Sequence, residues 1–87
     1  MVGSLFSDGY RAFIAELAGV RQGLRITQAE LARRLAKPQS YVSKIERLER
    51  RLDVVELCAL VDALGMDRAE ALALLTRAIP PYVPVDP

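Results

Sequence analysis

Residues 27–46 read TQAELARRLAKPQSYVSKIE, and this stretch contains two helix starts about ten residues apart with little room for a turn between them. Thr27 and Glu30 have the spacing of a capping box, in which the hydroxyl accepts from the Glu30 amide and the carboxylate reaches back. Pro38 suits the first turn of the next helix, because its missing N–H would have no intrahelical partner there. Proline also disfavours helical geometry at Lys37, the residue before it. The stretch therefore predicts two short helices that meet at a steep angle.

Further capping signals and apolar residues at helical spacing predict three more helices, while strand-like alternation is nearly absent. The start signals are Ser7 or Asp8, Asp53 with Glu56, and Asp67 with Glu70; the stop signals are Gly23, Gly65, Pro80 and Pro81. Hydrophobic residues make up 52% of the 87 residues, which is enough for one small core. We therefore expect a compact all-α domain of five helices over residues 1–79, with the two-helix motif at about 27–48.

The C-terminal segment 80–87 reads PPYVPVDP, and its four prolines exclude a helix and predict an extended or polyproline-like tail. Tyr82, Val83 and Val85 are unusually apolar for a solvated end. Two interpretations stay open: the tail is frayed, or it docks on its own domain or on a partner subunit.

The composition excludes several classes of function. The chain has no histidine and one cysteine, which excludes an internal disulfide and a Cys/His zinc site. Without histidine the usual general base is missing, and Cys58 and the serines have no evident activating partner. The sequence also lacks a Gly-rich phosphate loop, a run long enough to span a bilayer and a secretory signal. We therefore expect a cytoplasmic protein that is not an enzyme and needs no metal or cofactor.

Basic charge is concentrated in the middle of the chain, although the net charge is only +1. Residues 25–51 contain eight basic and three acidic side chains, and the rest of the chain contains four basic and eight acidic ones. A basic middle with acidic flanks indicates a polyanion partner that touches one face. The alternative is an ordinary solvated surface, which composition alone would favour.

The second helix of the motif gathers polar side chains on one face. With Val42 and Ile45 facing inward, helical geometry places the opposite face at Gln39, Ser40, Ser43 and Lys44. Glutamine can pair with adenine, lysine donates to guanine, and serine adapts to either base. Taken alone, these residues are better explained as an ordinary solvated helix face.

The stretches TQAELARRL, QSYVSKIE and LVDALGM occur in an order and spacing that resembles the phage-repressor and Cro (Xre) type of helix-turn-helix domain. The resemblance covers about residues 21–64. It implies a lambda-repressor-like fold that binds double-stranded DNA with its third helix in the major groove. The implied base contacts are Gln39, Ser40 and Lys44; the implied DNA backbone contacts are Gln28, Ser43, Arg50 and Arg51; the implied structural ion pair is Arg21 with Glu46.

The remaining arginines and the tyrosine of the two-helix motif have less specific expected roles in DNA binding. The alternative for Arg50 and Arg51 is that they are surface arginines partnered by Glu49. Three more arginines are expected to supply a general positive field: Arg33, Arg34 and Arg47. The Tyr41 hydroxyl either contacts the DNA backbone or its ring packs over the turn.

Two positions depart from the family pattern. Ala36 stands where glycine is common, and it is tolerated without strain only if its φ is negative. Leu48 stands where a glycine usually supplies a left-handed helix end, and that geometry costs a leucine about 1 kcal/mol or more. Either the third helix continues for a residue or two, or Leu48 packs well enough to offset the strain.

The sequence is interpreted as that of a DNA-binding transcriptional regulator that binds an inverted repeat as a homodimer. A repressor is the preferred interpretation. One recognition helix offers few base contacts, whereas a dimer presents two of them roughly 34 Å apart. The fifth helix and the tail are the expected dimer surface. Two alternatives stay open: an antitoxin-like or phage-control adaptor that mainly binds a protein partner, and a purely protein-binding helical module.

Overall fold

Five α-helices occupy residues 7–82, the part of the chain that the computed structural model describes. They are α1 (Asp8–Gly23), α2 (Gln28–Arg34), α3 (Gln39–Glu46), α4 (Val54–Ala63) and α5 (Arg68–Ala78). The prediction of an all-α, five-helix domain is confirmed. The predictions for Val83 and Val85 lie outside the described residues, and Tyr82 is highly exposed.

Side-chain caps fix the starts of four helices. The Ser7 hydroxyl accepts from the Tyr10 amide before α1, and Asp53 and Asp67 form complete capping boxes before α4 and α5. Before α2 only half of the predicted box is formed. The Thr27 hydroxyl accepts the Glu30 amide at 3.0 Å, but the Glu30 carboxylate is occupied by arginines of its own helix.

Pro38 lies one position earlier than predicted. It is the N-cap residue of α3, with extended backbone angles (φ −66°, ψ 155°), and the first helical residue is Gln39. Its ring still fixes φ at a value that suits the entry to a helix, but its extended ψ keeps it outside the helix. Pro38 has no side chain that can accept a hydrogen bond, so α3 begins without a side-chain cap.

Four helices end in the same left-handed turn. Between residues 7 and 82, the residues with positive φ are Arg25 (60°), Ala36 (55°), Leu48 (64°) and Gly65 (71°). In each turn the amide of this residue bonds three residues back and the next amide bonds five back, which is the Schellman pattern; around Leu48 the two distances are 3.0 and 2.8 Å. Only one of the four positions is a glycine, so three turns carry the strain of a side chain in this region.

The two departures from the family pattern are thereby resolved. Ala36 has positive φ, so its turn is strained. α3 stops at Glu46 instead of continuing, and Leu48 adopts the left-handed geometry while packing against the hydrophobic core. Packing, and not an extended helix, accommodates the leucine.

The core lies between α1, the two-helix motif and α4, all of which contribute buried side chains to it. Its largest fully buried side chains are Leu31, Val42, Ile45 and Val61. Burial of such a side chain is worth roughly 1.5–3 kcal/mol, which fixes the inward faces of α2 and α3. α2 packs most extensively on α3, and α1 on α5. Between residues 7 and 82 no helix combines the length and apolar character needed to cross a membrane.

Candidate nucleic-acid interface

The polar residues that the sequence assigned to one face of α3 do lie together on its outward side. They are Gln39, Ser40, Ser43 and Lys44, of which only Ser43 is partly buried. The opposite side of the helix is locked in the core by Val42 and Ile45. A short helix with a buried apolar side and a free polar side can present amide, hydroxyl and ammonium groups to a flat or grooved partner.

The C-terminal end of α3 is held by three residues, Arg21, Glu46 and Gln28, which we call the Glu46 anchor. The ion pair expected between Arg21 and Glu46 is present and bidentate, with Nε–Oε2 and Nη2–Oε1 distances of 2.7 and 3.0 Å. A further Arg21 nitrogen donates to the Ile26 carbonyl at 2.7 Å. The two side chains are 9% and 15% exposed, so this ion pair is well shielded from solvent.

Gln28 takes part in the Glu46 anchor, which the sequence did not indicate. Its side-chain amide donates to Glu46 Oε1 at 2.9 Å. The amide nitrogen carries a second hydrogen that this bond does not use. The anchor therefore holds the side chain of Gln28 in place at the start of α2 while leaving one donor to a further partner.

A second contact network holds the N-terminal half of α3, and we call it the Tyr41 clamp, made of Tyr41, Arg50 and Glu56. The Arg50 guanidinium lies 4.7 Å from the centroid of the Tyr41 ring, and Lys37 Nζ lies 5.2 Å from it. Arg50 donates two hydrogen bonds to the Glu56 carboxylate, at 2.7 and 3.1 Å, and one to the Arg51 carbonyl at 2.7 Å. Packing of Tyr41 over the turn was one of its two expected roles.

Arg50 pairs with a carboxylate other than Glu49, the partner that the alternative to a DNA contact offered. In that alternative Glu49 partners both loop arginines, but in the structure it pairs with Arg47 at 3.2 Å in an exposed contact. The partner of Arg50 is Glu56, which also accepts the Asp53 amide in the capping box of α4. The only sequence signal was this capping box, which places a carboxylate six residues after Arg50 at the start of a helix.

The clamp changes the titration of its members. The Arg50 hydrogen bonds, followed by the Asp53 amide, lower the pKa of Glu56 from 4.5 to about 2. Burial, followed by the negative charge of Glu56, raises the pKa of the Tyr41 hydroxyl. At neutral pH the clamp is therefore an ionised carboxylate, a guanidinium and a neutral phenol.

Arg51, the second arginine of this loop, is directed towards α1. Its guanidinium lies 5.2 Å from the centroid of the Tyr10 ring. The Tyr10 hydroxyl in turn accepts the Leu52 amide at 3.2 Å. Tyr10 thus fixes the backbone beside Arg51, and the arginine itself stays exposed.

Several basic side chains of the central segment are neutralised within the fold. Arg33 and Arg34 both bind Glu30, and these contacts lower the pKa of Glu30 to about 2. Arg34 also donates to the Ala63 carbonyl at 2.9 Å. Lys44, by contrast, forms no ion pair with any residue between 7 and 82. Fewer basic side chains of the described residues are therefore unpaired than the sequence suggests, and Lys44 on α3 is one that is.

An apolar groove lies between α4 and α5, on a different part of the surface. Its lining is Leu57, Cys58, Val61, Arg68, Ala71, Leu72 and Leu75. Leu72 is 61% exposed at its edge, and the valines that begin α4 are also exposed. The half-buried Cys58 belongs to this apolar lining.

Two short helices joined by a tight turn, the second with a free polar face, define a helix-turn-helix domain. The sequence model of the helix-turn-helix family matches residues 15–70, which is more than half of the chain. The chain belongs to the Xre-type helix-turn-helix family, as the resemblance implied, and is accordingly a DNA-binding transcription regulator.

Solved structures agree with this assignment. An XRE-family like protein from Pseudomonas syringae pv. tomato str. DC3000 is 43% identical, with a TM-score of 0.76 over 83% of this chain and 88% of that one. The clp gene regulator ClgR from C. glutamicum is 26% identical, with a TM-score of 0.69 over 80% of this chain and 91% of that one. No curated protein matches the sequence.

Proposed function

We propose that this chain is a cytoplasmic repressor that binds an inverted-repeat operator in double-stranded DNA as a homodimer, with α3 in the major groove. The observation that carries the proposal is the exposed polar face of α3, held outward by contacts at both ends of the helix. The matching regulator ClgR supports the role in transcription. Occupancy of a promoter by such a dimer blocks access of the polymerase.

The base contacts are assigned to Gln39, Ser40 and Lys44. Glutamine offers a donor and an acceptor that match the adenine edge, and lysine donates to the acceptors of guanine. All three side chains are exposed, so they reach base edges without prior loss of internal contacts. Each good contact of this kind discriminates against a wrong base by about 1–3 kcal/mol.

The DNA backbone contacts are assigned to residues on either side of α3. Gln28 has one amide hydrogen left for a phosphate oxygen, and Ser43 has a hydroxyl beside the base-reading residues. Arg51 supplies charge from the loop after α3. Arg50 could reach a phosphate only with the donors that Glu56 leaves unused.

The homodimer is proposed because one α3 offers too few base contacts for useful selectivity. A two-fold dimer places two recognition helices roughly 34 Å apart, on successive major-groove faces. The apolar edge at Leu72 on α5 supports a dimer surface on the fifth helix, away from the polar face of α3. Sedimentation at micromolar concentration, with and without operator, tests this; a monomer under both conditions would refute the dimer.

The decisive experiment is selection of binding sites from a random pool of DNA duplexes. We expect an enriched inverted repeat whose half-sites are centred about one helical turn apart. Lys44→Ala should relax the base preference, whereas Arg51→Ala should weaken all duplexes alike and reduce the salt slope by about 1. No enrichment, or equal loss of selectivity in both variants, would contradict the assigned roles.

A second candidate function is an adaptor that binds a protein partner and binds DNA secondarily. The apolar groove between α4 and α5 and the exposed Tyr82 favour it. Deletion of residues 80–87 separates the two functions. Loss of a partner with unchanged DNA affinity would support the adaptor, and duplex binding that hardly depends on salt would oppose a DNA-binding role altogether.

A further inference from the structure

We propose that the Tyr41 clamp positions the recognition helix: Glu56 holds Arg50 against Tyr41, and the three residues together fix the base-reading half of α3. Arg50 then acts inside the protein as a positioning residue and not as a phosphate ligand. The inference rests on the proposed function and names the residues that set its selectivity.

The start of α3 needs support from outside the helix. α3 has eight residues and begins at Pro38 without a side-chain cap. Isolated helices of this length are marginal in water, so tertiary contacts must hold the first turn. Tyr41 is partly buried and lies in sequence between the base-reading residues Ser40 and Lys44, which makes it the side chain best placed to transmit such support.

Three hydrogen bonds of Arg50 go to Glu56 and to the Arg51 carbonyl, and the face of the guanidinium is stacked on Tyr41. If Arg50 turned to a phosphate, the Glu56 carboxylate would lose its ion pair beside another negative charge. Like charges that lie close together repel each other, so the internal arrangement is favoured.

Glu56 connects two helices. Its carboxylate accepts the Asp53 amide at 2.9 Å, and its own amide donates to the Asp53 carboxylate at 2.7 Å. One side chain therefore closes the start of α4 and, through Arg50, reaches the ring of Tyr41 on α3. A displacement of Glu56 would therefore change the position of Tyr41 and, with it, of the base-reading side chains on α3.

The test uses the full chain, the operator selected from the random pool and a scrambled duplex of the same length. Glu56→Gln keeps an acceptor for the capping box but removes the charge that orders Arg50. We expect Glu56→Gln and Arg50→Gln each to lower the preference for the operator roughly tenfold, with an unchanged salt slope. Tyr41→Phe should keep the preference because the ring is retained, whereas Tyr41→Leu should lose it.

Glu49→Gln is the matched control, since it removes one exposed acid from the same loop without touching the clamp. It should strengthen binding to both duplexes equally. The clamp is refuted if Glu56→Gln behaves like this control and tightens all duplexes, or if Arg50→Gln lowers the salt slope by about 1, because a phosphate ligand gives those results.

Two further measurements separate loss of the clamp from loss of the fold and from failure of DNA binding. Circular dichroism establishes that each variant is folded; if Glu56→Gln unfolds, Tyr41→Leu decides, because it leaves the α4 cap intact. A Tyr41→Leu chain that is folded and fully selective overturns the clamp alone. An unmodified chain that binds no duplex overturns the proposed function as well, and the two failures are thereby distinguished.

Discussion

The two ends of α3 are held by ion pairs of similar geometry but very different environment. In the Glu46 anchor the paired side chains are 9% and 15% exposed, whereas in the Tyr41 clamp Arg50 and Glu56 are 38% and 27% exposed. Both pairs have a shortest nitrogen–oxygen distance of 2.7 Å. Distance alone therefore does not rank them.

Burial decides what each contact does. Removal of one partner from a buried pair leaves a charge with neither solvent nor counter-charge, and typically costs 3–5 kcal/mol. A partly buried pair such as Arg50 with Glu56 keeps much of its hydration in both states and contributes less to stability. The Glu46 anchor is therefore needed for the stability of the fold. The Tyr41 clamp instead orients the first turn of a helix whose apolar side is already packed in the core.

The largest expected effect breaks the anchor. Glu46→Ala leaves Arg21 buried without its counter-charge, and we expect the free energy of unfolding to fall by about 3–5 kcal/mol. Urea denaturation followed by circular dichroism measures this loss. The control is Glu49→Ala. Because Glu49 pairs with Arg47 in an exposed contact, this substitution should change the free energy of unfolding by less than about 1 kcal/mol. Similar losses in the two variants would show that burial does not set the difference between the ends.

An intermediate effect concerns the turns that flank α3. Ala36→Gly before the helix removes the strain of a positive φ, and we expect a gain of about 1 kcal/mol, reduced by the greater freedom of glycine in the unfolded chain. Leu48→Gly after the helix relieves the same strain but loses contacts with the core, so we expect a net loss.

Thermal denaturation of these two variants gives the sign of each change. The reverse substitution, Gly65→Ala at the end of α4, should cost about 1 kcal/mol. Stabilisation of the chain by Leu48→Gly would mean that the packing of Leu48 does not compensate for its backbone geometry.

The smallest effect is the dependence of stability on acid. Glu56 and Glu30 have pKa values lowered from 4.5 to about 2 by their arginine partners, so the unfolded chain binds protons first. Their stabilising contribution is complete above pH 4.5 and is lost as the pH falls towards 2. Unfolding midpoints measured across this range should fall less steeply in Glu56→Gln and in Glu30→Gln than in the unmodified chain. An identical pH profile in all three chains would contradict these pKa values.

Local sequence signals predicted the helices well. Ser7, Thr27, Asp53 and Asp67 all cap the helices that they were expected to start, because a cap bonds an amide only two or three residues away. The outward polar face of α3 followed from its periodicity, since burial of Val42 and Ile45 leaves the other side free.

The sequence did not settle which of several partners each charged or polar side chain binds. Glu30 has the spacing to complete a capping box but binds Arg33 and Arg34, and Arg50 binds Glu56 instead of the adjacent Glu49. Gln28 donates to Glu46, 18 residues away, a contact that the sequence did not indicate, and its expected phosphate contact stays a prediction. Several groups compete for each charge, and the outcome depends on which backbone segments lie side by side.

The sequence by itself determined five helices, their caps, the family and the polar face of α3, because periodicity and capping act within a few residues. Only the tertiary structure decided that Leu48 takes a left-handed conformation, that Gln28 joins a buried ion pair and that Arg50 is held by Glu56. These outcomes depend on how neighbouring helices and loops pack in three dimensions, where burial strengthens some charge pairs and leaves others solvated.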